Sequence, residues 1–440
     1  MIESFKKELK LSICRCCIAA LLCGCGGLPV PSDFSWYEYN QTETESEAYT
    51  ESCDTDVSAE AADAASDERT ADAENGGGIE ETSQESAVEE ENAGFLMEEA
   101  GHFAYDSLDE VQKIWYRDIE KALGGMEKEV RLSWDGVGGV LDETDIDTIF
   151  QCVIIDHPEI FYVDGYSYNK YSVGDKIVSV RFSGTYNCDE AAAAEKALQI
   201  NAAAENILAN APQNGSEYEK VKYVYENIVL NTDYDLDSED NQNIYSVLVN
   251  HKSVCLGYAK ATQYLLLKLG IECTLVQGTV EEGEAHAWNL VKVDGDYYYV
   301  DTTWGDASYQ DAGSNSIWYY NSSINYDYLC VTTSQLLRTH TPGGYVELPV
   351  CTATAANYYV MEDALFYEYD EDRLRELFER AIAEGKNDVT VKCADGECFQ
   401  EMKERLIDAQ EIFNCIPGDI KEITYANNSS QLSLTFWISQ

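Results

Sequence analysis

The chain has few basic residues for its length. Its 440 residues include 29 lysines and arginines against 81 aspartates and glutamates, which gives a formal net charge of −52. Nucleic acids are repelled by such a surface, and no basic patch with interleaved aromatic residues is present. We therefore expect no nucleic-acid partner. The length is sufficient for two or three domains.

Long hydrophobic runs and regularly spaced cysteine pairs are also missing. The apolar run near the N-terminus is too short for a transmembrane helix. Five of the 15 cysteines lie within residues 1–25, and the remainder form no C-x-x-C pair. The cysteines therefore indicate neither a zinc ribbon nor a disulfide framework.

Residues 1–25 have the composition of a targeting segment. Basic residues precede a short apolar run, and L-C-G-C at 22–25 resembles a bacterial lipobox, in which Cys25 becomes the lipidated first residue. This pattern predicts a protein anchored by lipid on the extracellular face of a bacterial membrane. A secreted protein without lipid is the alternative.

Residues 26–100 are predicted to be a disordered acidic linker. From Glu38 to Ala100 there are 21 acidic residues and one basic residue, Arg69. So little apolar surface cannot offset the entropy of ordering, so we expect an extended, self-repelling spacer between the anchor and the folded part.

The stretch 253–270 predicts a helix that carries a reactive cysteine. Ser253 is a favoured N-cap residue, and the apolar run after it ends at Gly270. Cys255 then lies in the first turn, where the helix dipole and unpaired backbone N–H groups favour a thiolate. A buried, unreactive cysteine is the alternative reading of this position.

A histidine and an aspartate follow on one predicted hairpin. Two apolar runs, A-H-A-W-N-L-V-K-V and D-Y-Y-Y-V-D, flank Asp294-Gly295, a strong turn signal. A two-residue loop places Asp301 opposite Trp288 and diagonal to His286 on the same face. Asp301 can then accept from one imidazole nitrogen while the other faces the thiol.

We therefore interpret Cys255, His286 and Asp301 as a catalytic triad and expect neither a metal nor a cofactor. Each residue has an ordinary structural reading when it is taken alone. A zinc site built from the same three residues is a further alternative.

Three motifs of this region resemble the core of the transglutaminase-like superfamily. They are C-L-G-Y-A at 255–259, the H-A-W-N block at 286–289 with its preceding Gly278, and Y-Y-V-D-T-T-W ending at Trp304. The resemblance implies that Cys255 is the nucleophile, His286 the general base and then acid, and Asp301 the orienting carboxylate. It also suggests that Tyr234 lines the cleft.

Trp288 and Trp304 are further candidate cleft-lining residues, because their rings could cover the cleft and exclude water. Core packing is the alternative for both. By resemblance, we expect acyl transfer on amide or peptide bonds of protein or peptide substrates, which could be associated with the cell wall. The competing hypothesis is an inactive scaffold or binding lipoprotein of the envelope.

The fold class expected is α+β, with a papain/transglutaminase-like core in which the nucleophile helix packs on an antiparallel sheet. The predicted domains are an N-terminal α+β region over 101–190, the core over 191–344 and a C-terminal accessory α/β module over 345–440. In that module, Asp395-Gly396 could form a tight turn that pairs Cys393 with Cys398. We favour a helix start there instead.

Overall fold

The computed structural model describes residues 38–39, 102–173, 176–280, 283–306, 324–418, 420 and 422–438. The predicted signal peptide with Cys25 lies outside the described residues. So does the predicted linker, except for strand β1 (Glu38–Tyr39), which pairs in parallel with Gly165 and Tyr166. No described helix is both long and apolar enough to cross a bilayer.

The N-terminal region is a layer of helices against a twisted hairpin. Its elements are α1 (Phe103–Ser107), α2 (Gln112–Gly124), β2 (Val130–Arg131), α3 (Glu143–Asp156), β3 (Val163–Val173) and β4 (Lys176–Tyr186). A capping box between Asp142 and Asp145 starts α3, as expected of acidic residues at a helix N-terminus. The sheet order is β1-β3-β4-β2.

This region shares one hydrophobic core with the elements that follow. At its end, the buried carboxylate of Asp156 accepts from the backbone N–H groups of Ala104 and Tyr105. The Gln263 amide donates to the carbonyl of Ile155 at 2.8 Å. Helix α3 is therefore fixed directly to the helix that carries the candidate nucleophile.

The central region begins with helices and continues into a sheet. Its elements are α4 (Glu190–Leu208), α5 (Glu217–Asn231), β5 (Asp233–Tyr234), α6 (Ile244–Leu248), β6 (Lys252–Ser253), α7 (Cys255–Lys268), β7 (Cys273–Val280), β8 (Ala285–Val293), β9 (Asp296–Val300), α8 (Thr302–Gly305), a 3₁₀ turn (Tyr326–Tyr328), α9 (Thr333–Leu336) and β10 (His340–Pro342). The sheet is antiparallel throughout, with order β10-β7-β8-β9.

Helix α7 packs on one face of this sheet. The Asn289 amide in β8 donates to the carbonyl of Ala259, and Gln263 donates to the carbonyl of Cys273 at 3.4 Å. These contacts set α7 antiparallel to β7. The N-terminus of α7 therefore lies at the same end of the sheet as the start of β8.

The predicted hairpin is present with the predicted register. Val293 pairs with Asp296 and Asn289 with Val300, so Asp301 comes directly after the strand, level with Trp288. Asp294 and Gly295 both have positive φ, as a two-residue hairpin turn requires.

The C-terminal region forms a second core of its own. Its elements are α10 (Tyr358–Met361), β11 (Leu365–Phe366), α11 (Glu371–Ala383), β12 (Asp388–Cys393), α12 (Gly396–Met402), a π-helical turn (Lys403–Asp408), α13 (Ile412–Cys415), β13 (Thr424–Asn428) and β14 (Ser433–Trp437). The sheet is mixed, with order β11-β12-β14-β13. Asp395 caps α12, which confirms the helix start, and both Cys393 and Cys398 are free thiols.

Candidate active site

Cys255 is the first residue of α7, one position closer to the N-terminus of the helix than the sequence indicated. The N-cap residue is Val254, which makes no side-chain capping hydrogen bond. The prediction of Ser253 as N-cap is therefore wrong. Without a capping side chain, the first backbone N–H groups of α7 stay available to a negatively charged group beside Cys255.

Ser253 is occupied elsewhere. It lies in β6, paired with Tyr234, and its hydroxyl donates to the carbonyl of Asn241 at 2.7 Å. The same hydroxyl lies 2.7 Å from that of Ser246. A Cβ on Gly257 would come within 2.0 Å of the Ser253 hydroxyl, so the absence of a side chain there lets the loop pack against α7.

His286 and Asp301 meet as the hairpin register predicts. His286 Nε2 lies 2.8 Å from Asp301 Oδ2, and both side chains are almost wholly buried, at 2% and 1% exposure. His286 is in β8, one residue after the strand begins, and Asp301 follows β9. The two residues are diagonal neighbours on one face of the sheet.

Asp301 accepts four hydrogen bonds. Its Oδ1 caps α8 by accepting from the backbone N–H groups of Thr303 and Trp304. Its Oδ2 accepts from the imidazoles of His286 and His340. Burial by itself would raise the pKa of Asp301, but the charge and hydrogen bond of His286 and the hydrogen bond of His340 hold it well below its usual range.

The thiol of Cys255 lies within interaction range of the imidazole of His286, whose pKa it raises. Since Nε2 of the ring faces Asp301, Nδ1 is the atom left for the sulfur. Burial by itself lowers the pKa of His286, but Asp301 and then Cys255 outweigh it and raise this pKa to about 10. The raised pKa of His286 and the lowered pKa of Asp301 therefore favour an imidazolium beside a carboxylate near neutral pH.

His340 is a member of the site that the sequence analysis missed. Its Nε2 lies 3.0 Å from Asp301 Oδ2, and its side chain is fully buried. It opens the edge strand β10, which pairs with Val280 at the end of β7. A single histidine in an aromatic stretch without periodicity gave no signal, because its neighbours in space come from distant parts of the chain.

The two tryptophans surround the histidines. Trp288 is fully buried and stacks on His286 with ring centroids 5.9 Å apart, so it supports the imidazole from within the core and does not face an open cleft. Trp304 is half-buried, with its ring 5.9 Å from His286 and 4.8 Å from His340.

Tyr234 is half-buried beside the start of α7. It pairs with Ser253, and its ring lies 6.2 Å from that of Tyr258 in the first turn of the helix. This position places Tyr234 beside the helix that carries Cys255.

One group of side chains in the described part of the chain could hold a metal ion. One ligand atom each from His286, Asp301 and His340 lies within 4.8 Å of the others. The predicted alternative of a zinc site used Cys255 in place of His340. The Asp301 carboxylate has four hydrogen-bond donors already, which satisfy its oxygens without an ion, so we interpret the group as a hydrogen-bonded cluster.

A cysteine at the start of a buried helix, packed against an antiparallel sheet that carries histidine and aspartate, defines the class as a papain-like α+β core. Residues 201–302 match the family model described as the transglutaminase-like superfamily. The chain therefore contains a transglutaminase-like core.

Individual proteins resemble this chain over limited segments. The kyphoscoliosis peptidase of Mus musculus is 25% identical over 122 residues, which cover 24% of this chain and 18% of that protein. The chain thus spans less than a fifth of the length of this relative.

Two solved structures share partial similarity. The crystal structure of a TGase aligns at 15% identity with a TM-score of 0.24, over 32% of this chain and 50% of that one. A structure described as a candidate cysteine protease from Cytophaga hutchinsonii aligns at 14% identity with a TM-score of 0.22, over 31% and 61% of the two chains.

Proposed function

We propose that the protein is a cysteine-dependent enzyme that transfers acyl groups from amide or peptide bonds. The observation that carries the proposal is the position of His286, whose imidazole contacts the Cys255 thiol on one side and the Asp301 carboxylate on the other. In this role Cys255 is the nucleophile, His286 the general acid and base, and Asp301 the group that fixes the imidazole.

Acylation begins when the Cys255 thiolate adds to the carbonyl carbon and the carbonyl π electrons move to oxygen. The N-terminus of α7, uncapped by a side chain, supports a role for its N–H groups in holding this oxyanion. The Trp304 indole N–H is buried and has no hydrogen-bond partner among the described residues, which makes it a candidate second donor. His286 then protonates the leaving nitrogen as the C–N bond breaks.

Deacylation returns the site to its starting state. Water or an amine attacks the thioester carbon, His286 accepts the proton of the attacking group, and the C–S bond breaks to restore the thiolate. Water yields hydrolysis, as in a protease or amidase, and an amine yields cross-linking.

We further propose that the substrates are proteins or peptides outside the cell, including those associated with the cell wall. Cys25 in L-C-G-C would carry the lipid, and the acidic stretch after it would act as the spacer. Globomycin, an inhibitor of lipoprotein signal cleavage, is expected to cause accumulation of the uncleaved precursor. A Cys25→Ala variant should not incorporate labelled palmitate, and palmitate incorporation by that variant would remove this proposal.

The chain provides its own control for thiol reactivity. Cys188 is half-buried and therefore more accessible than Cys255, but Cys255 lies within interaction range of the His286 imidazole. Iodoacetamide at pH 7 should alkylate Cys255 at least about tenfold faster than Cys188, since the thiolate is the reactive form. His286→Ala should abolish this preference, whereas Cys188→Ala should leave it intact.

The reaction itself is tested with amide and peptide libraries. Wild type should release amine and form a thioester that mass spectrometry detects on the Cys255 peptide, and Cys255→Ala should do neither. Slow, uniform labelling of all cysteines together with no thioester would favour the inactive scaffold. Stoichiometric zinc in the purified protein, lost in Asp301→Ala, would favour a metal site instead.

A further inference from the structure

The carboxylate of Asp301 serves two imidazoles, and the proposed mechanism uses only one of them. We propose that His340 is a positioning residue that shares Oδ2 of Asp301 with His286 and thereby limits how tightly Asp301 holds the proton of His286. This inference rests on the proposed function. It assigns a role to a residue that touches neither the nucleophile nor the reacting atoms.

The charge of Asp301 decides which atoms donate in its hydrogen bonds. An ionised carboxylate only accepts, so both Nε2 atoms carry hydrogens that point to the same oxygen, at 2.8 Å from His286 and 3.0 Å from His340. The other oxygen is held by two backbone N–H groups of α8. Both oxygens of the carboxylate are therefore held by hydrogen bonds, and Oδ2 accepts from two imidazole rings at once.

His340 is suited to donate without adding charge. Burial is the main cause that lowers its pKa, and the nearby charge of His286 acts in the same direction, against the opposing influence of Asp301 and of a hydrogen bond with the Leu336 backbone. A further titratable ring near His340 is that of Tyr328, with 5.5 Å between centroids. A neutral His340 weakens Asp301 as a hydrogen-bond acceptor, while the full negative charge remains to stabilise the imidazolium.

The second ring nitrogen of His340 also forms a hydrogen bond. Its partner is Thr339, which in turn contacts the C-terminal region. The Thr339 hydroxyl lies 2.8 Å from His340 Nδ1, and because Nε2 carries the hydrogen, Nδ1 accepts. Gln431, in the turn between β13 and β14, donates from Nε2 to Thr339 Oγ1 at 3.4 Å. The same Nε2 also lies 3.4 Å from the Tyr328 hydroxyl and 3.5 Å from the Gln335 carbonyl oxygen, so Gln431 connects the C-terminal region to the residues around His340.

Aromatic rings fix the plane of His340. Trp288 meets it edge-on at 4.9 Å and Trp304 lies 4.8 Å away. The ring therefore has little freedom to turn away from Asp301. Its orientation is set by packing and by hydrogen bonds at both nitrogens, as expected of a group that acts through another.

The hydrogen bond of His340 to Asp301 should affect how readily His286 releases its proton, and not the formation of the Cys255 thiolate. Protonation of the leaving nitrogen requires His286 to give up its proton, and a more strongly accepting Asp301 would retain it. Alkylation by iodoacetamide requires only the thiolate, since iodide leaves without a proton. Loss of the His340 donor should therefore slow amide turnover and leave alkylation of Cys255 unchanged.

The experiment compares His340→Leu with His340→Gln, whose amide N–H can occupy the place of imidazole Nε2–H. For His340→Leu we expect turnover of the best library amide to fall about 10- to 100-fold, with alkylation unchanged, and His340→Gln to restore most of the loss. The chain has five histidines, so ¹⁵N-histidine NMR resolves His286 directly. Its pKa should rise in His340→Leu.

Different results separate this inference from the function on which it rests. If wild-type Cys255 shows no selective alkylation, the proposed enzyme fails whatever His340 does. If wild type reacts selectively but His340→Leu changes neither the turnover nor the pKa of His286, the role of His340 is overturned. A loss of alkylation equal to the loss of turnover would also overturn it, since it would mean a general structural defect.

Thr339→Val provides a milder variant in case His340→Leu does not fold. It removes the hydroxyl and keeps the shape of the side chain. We expect a change in the ¹⁵N shift of His340 Nδ1 and a smaller loss of turnover in the same direction. An unchanged Nδ1 shift would show that Thr339 does not hold the ring and would overturn the part played by the C-terminal region.

Discussion

Two buried carboxylates, Asp301 and Asp327, lie close together in the chain and have different surroundings. Asp301 is 1% exposed and bonded to two imidazoles and two backbone N–H groups. Asp327 is 3% exposed, and its partners all belong to the C-terminal region: Lys392 at 2.8 Å, Asn428 at 3.1 Å and Ser433 at 2.6 Å.

Both carboxylates are well satisfied, so burial and hydrogen bonding alone do not mark a reactive site. The two carboxylates differ in the groups that their hydrogen-bond partners contact in turn. His286 lies between Asp301 and the candidate nucleophile Cys255, whereas the partners of Asp327 join two parts of the fold. A buried charge becomes chemically useful when a titratable partner connects it to a nucleophile.

The largest expected effect is on turnover in Asp301→Asn. Asparagine remains a good N-cap for α8, so the fold should persist. The amide cannot accept from both imidazoles as the carboxylate does, and it does not stabilise an imidazolium. Turnover of the best library amide should fall about 10⁴-fold, or about 5 kcal/mol, as measured by amine release.

The matched variant at the other carboxylate is Asp327→Asn. It should destabilise the junction but leave the turnover of the folded protein close to that of wild type. Equal losses of turnover in the two variants would contradict the distinction between them.

For Lys392→Met, the expected effect is on the stability of the fold. Burial lowers the pKa of Lys392 against the opposing charge of Asp327, and the pair is satisfied only together. Removal of the lysine leaves a buried, uncompensated carboxylate, which should lower the free energy of unfolding by about 3–5 kcal/mol in urea denaturation. The double variant Asp327→Asn/Lys392→Met should recover most of that loss, and a double variant no more stable than Lys392→Met would refute this account.

A smaller effect is expected where the sheet approaches Trp288. A Cβ on Gly278 would come within 2.3 Å of the Thr341 carbonyl oxygen and 2.7 Å of the Trp288 ring. Gly278→Ala should therefore cost about 1–3 kcal/mol by overpacking and displace the ring on which His286 stacks. Gly344→Ala is the control, since nothing lies within 4 Å of its added Cβ. Equal thermal stability of the two variants would rule out this contact.

The smallest effect is on pH dependence. The pKa of His286 in the fold is about 10, above its unfolded value of roughly 6.5. Its contribution to stability is fully present below about pH 6.5 and lost as the pH rises through about 10. Amide turnover should decline above about pH 10, at most tenfold per pH unit, while alkylation of Cys255 should not. A parallel decline of both rates would show that the folded site, and not the acid alone, is lost.

The helix of Cys255 and the hairpin of His286 and Asp301 were predictable because their signals are local. The turn at Asp294-Gly295 fixes the register of its own hairpin, which brings His286 and Asp301 to one face, and the apolar run after Cys255 defines the helix. The N-cap was misread for a related reason. Ser253 has the right side chain, but pairing with Tyr234 and a bond to Asn241 engage it elsewhere.

By itself, the sequence determined the helix that carries Cys255, the hairpin that joins His286 to Asp301, and the acidic character of the chain. Each of these follows from residues a few positions apart, whose spacing and turn chemistry act along the backbone. Only the tertiary structure decided that His340 shares the carboxylate and that Trp288 lies beneath His286 in the core. It also decided that Gln431 of the C-terminal region reaches Thr339. Such contacts join residues far apart in the chain, and they form only when sheet and helix packing removes water from between them.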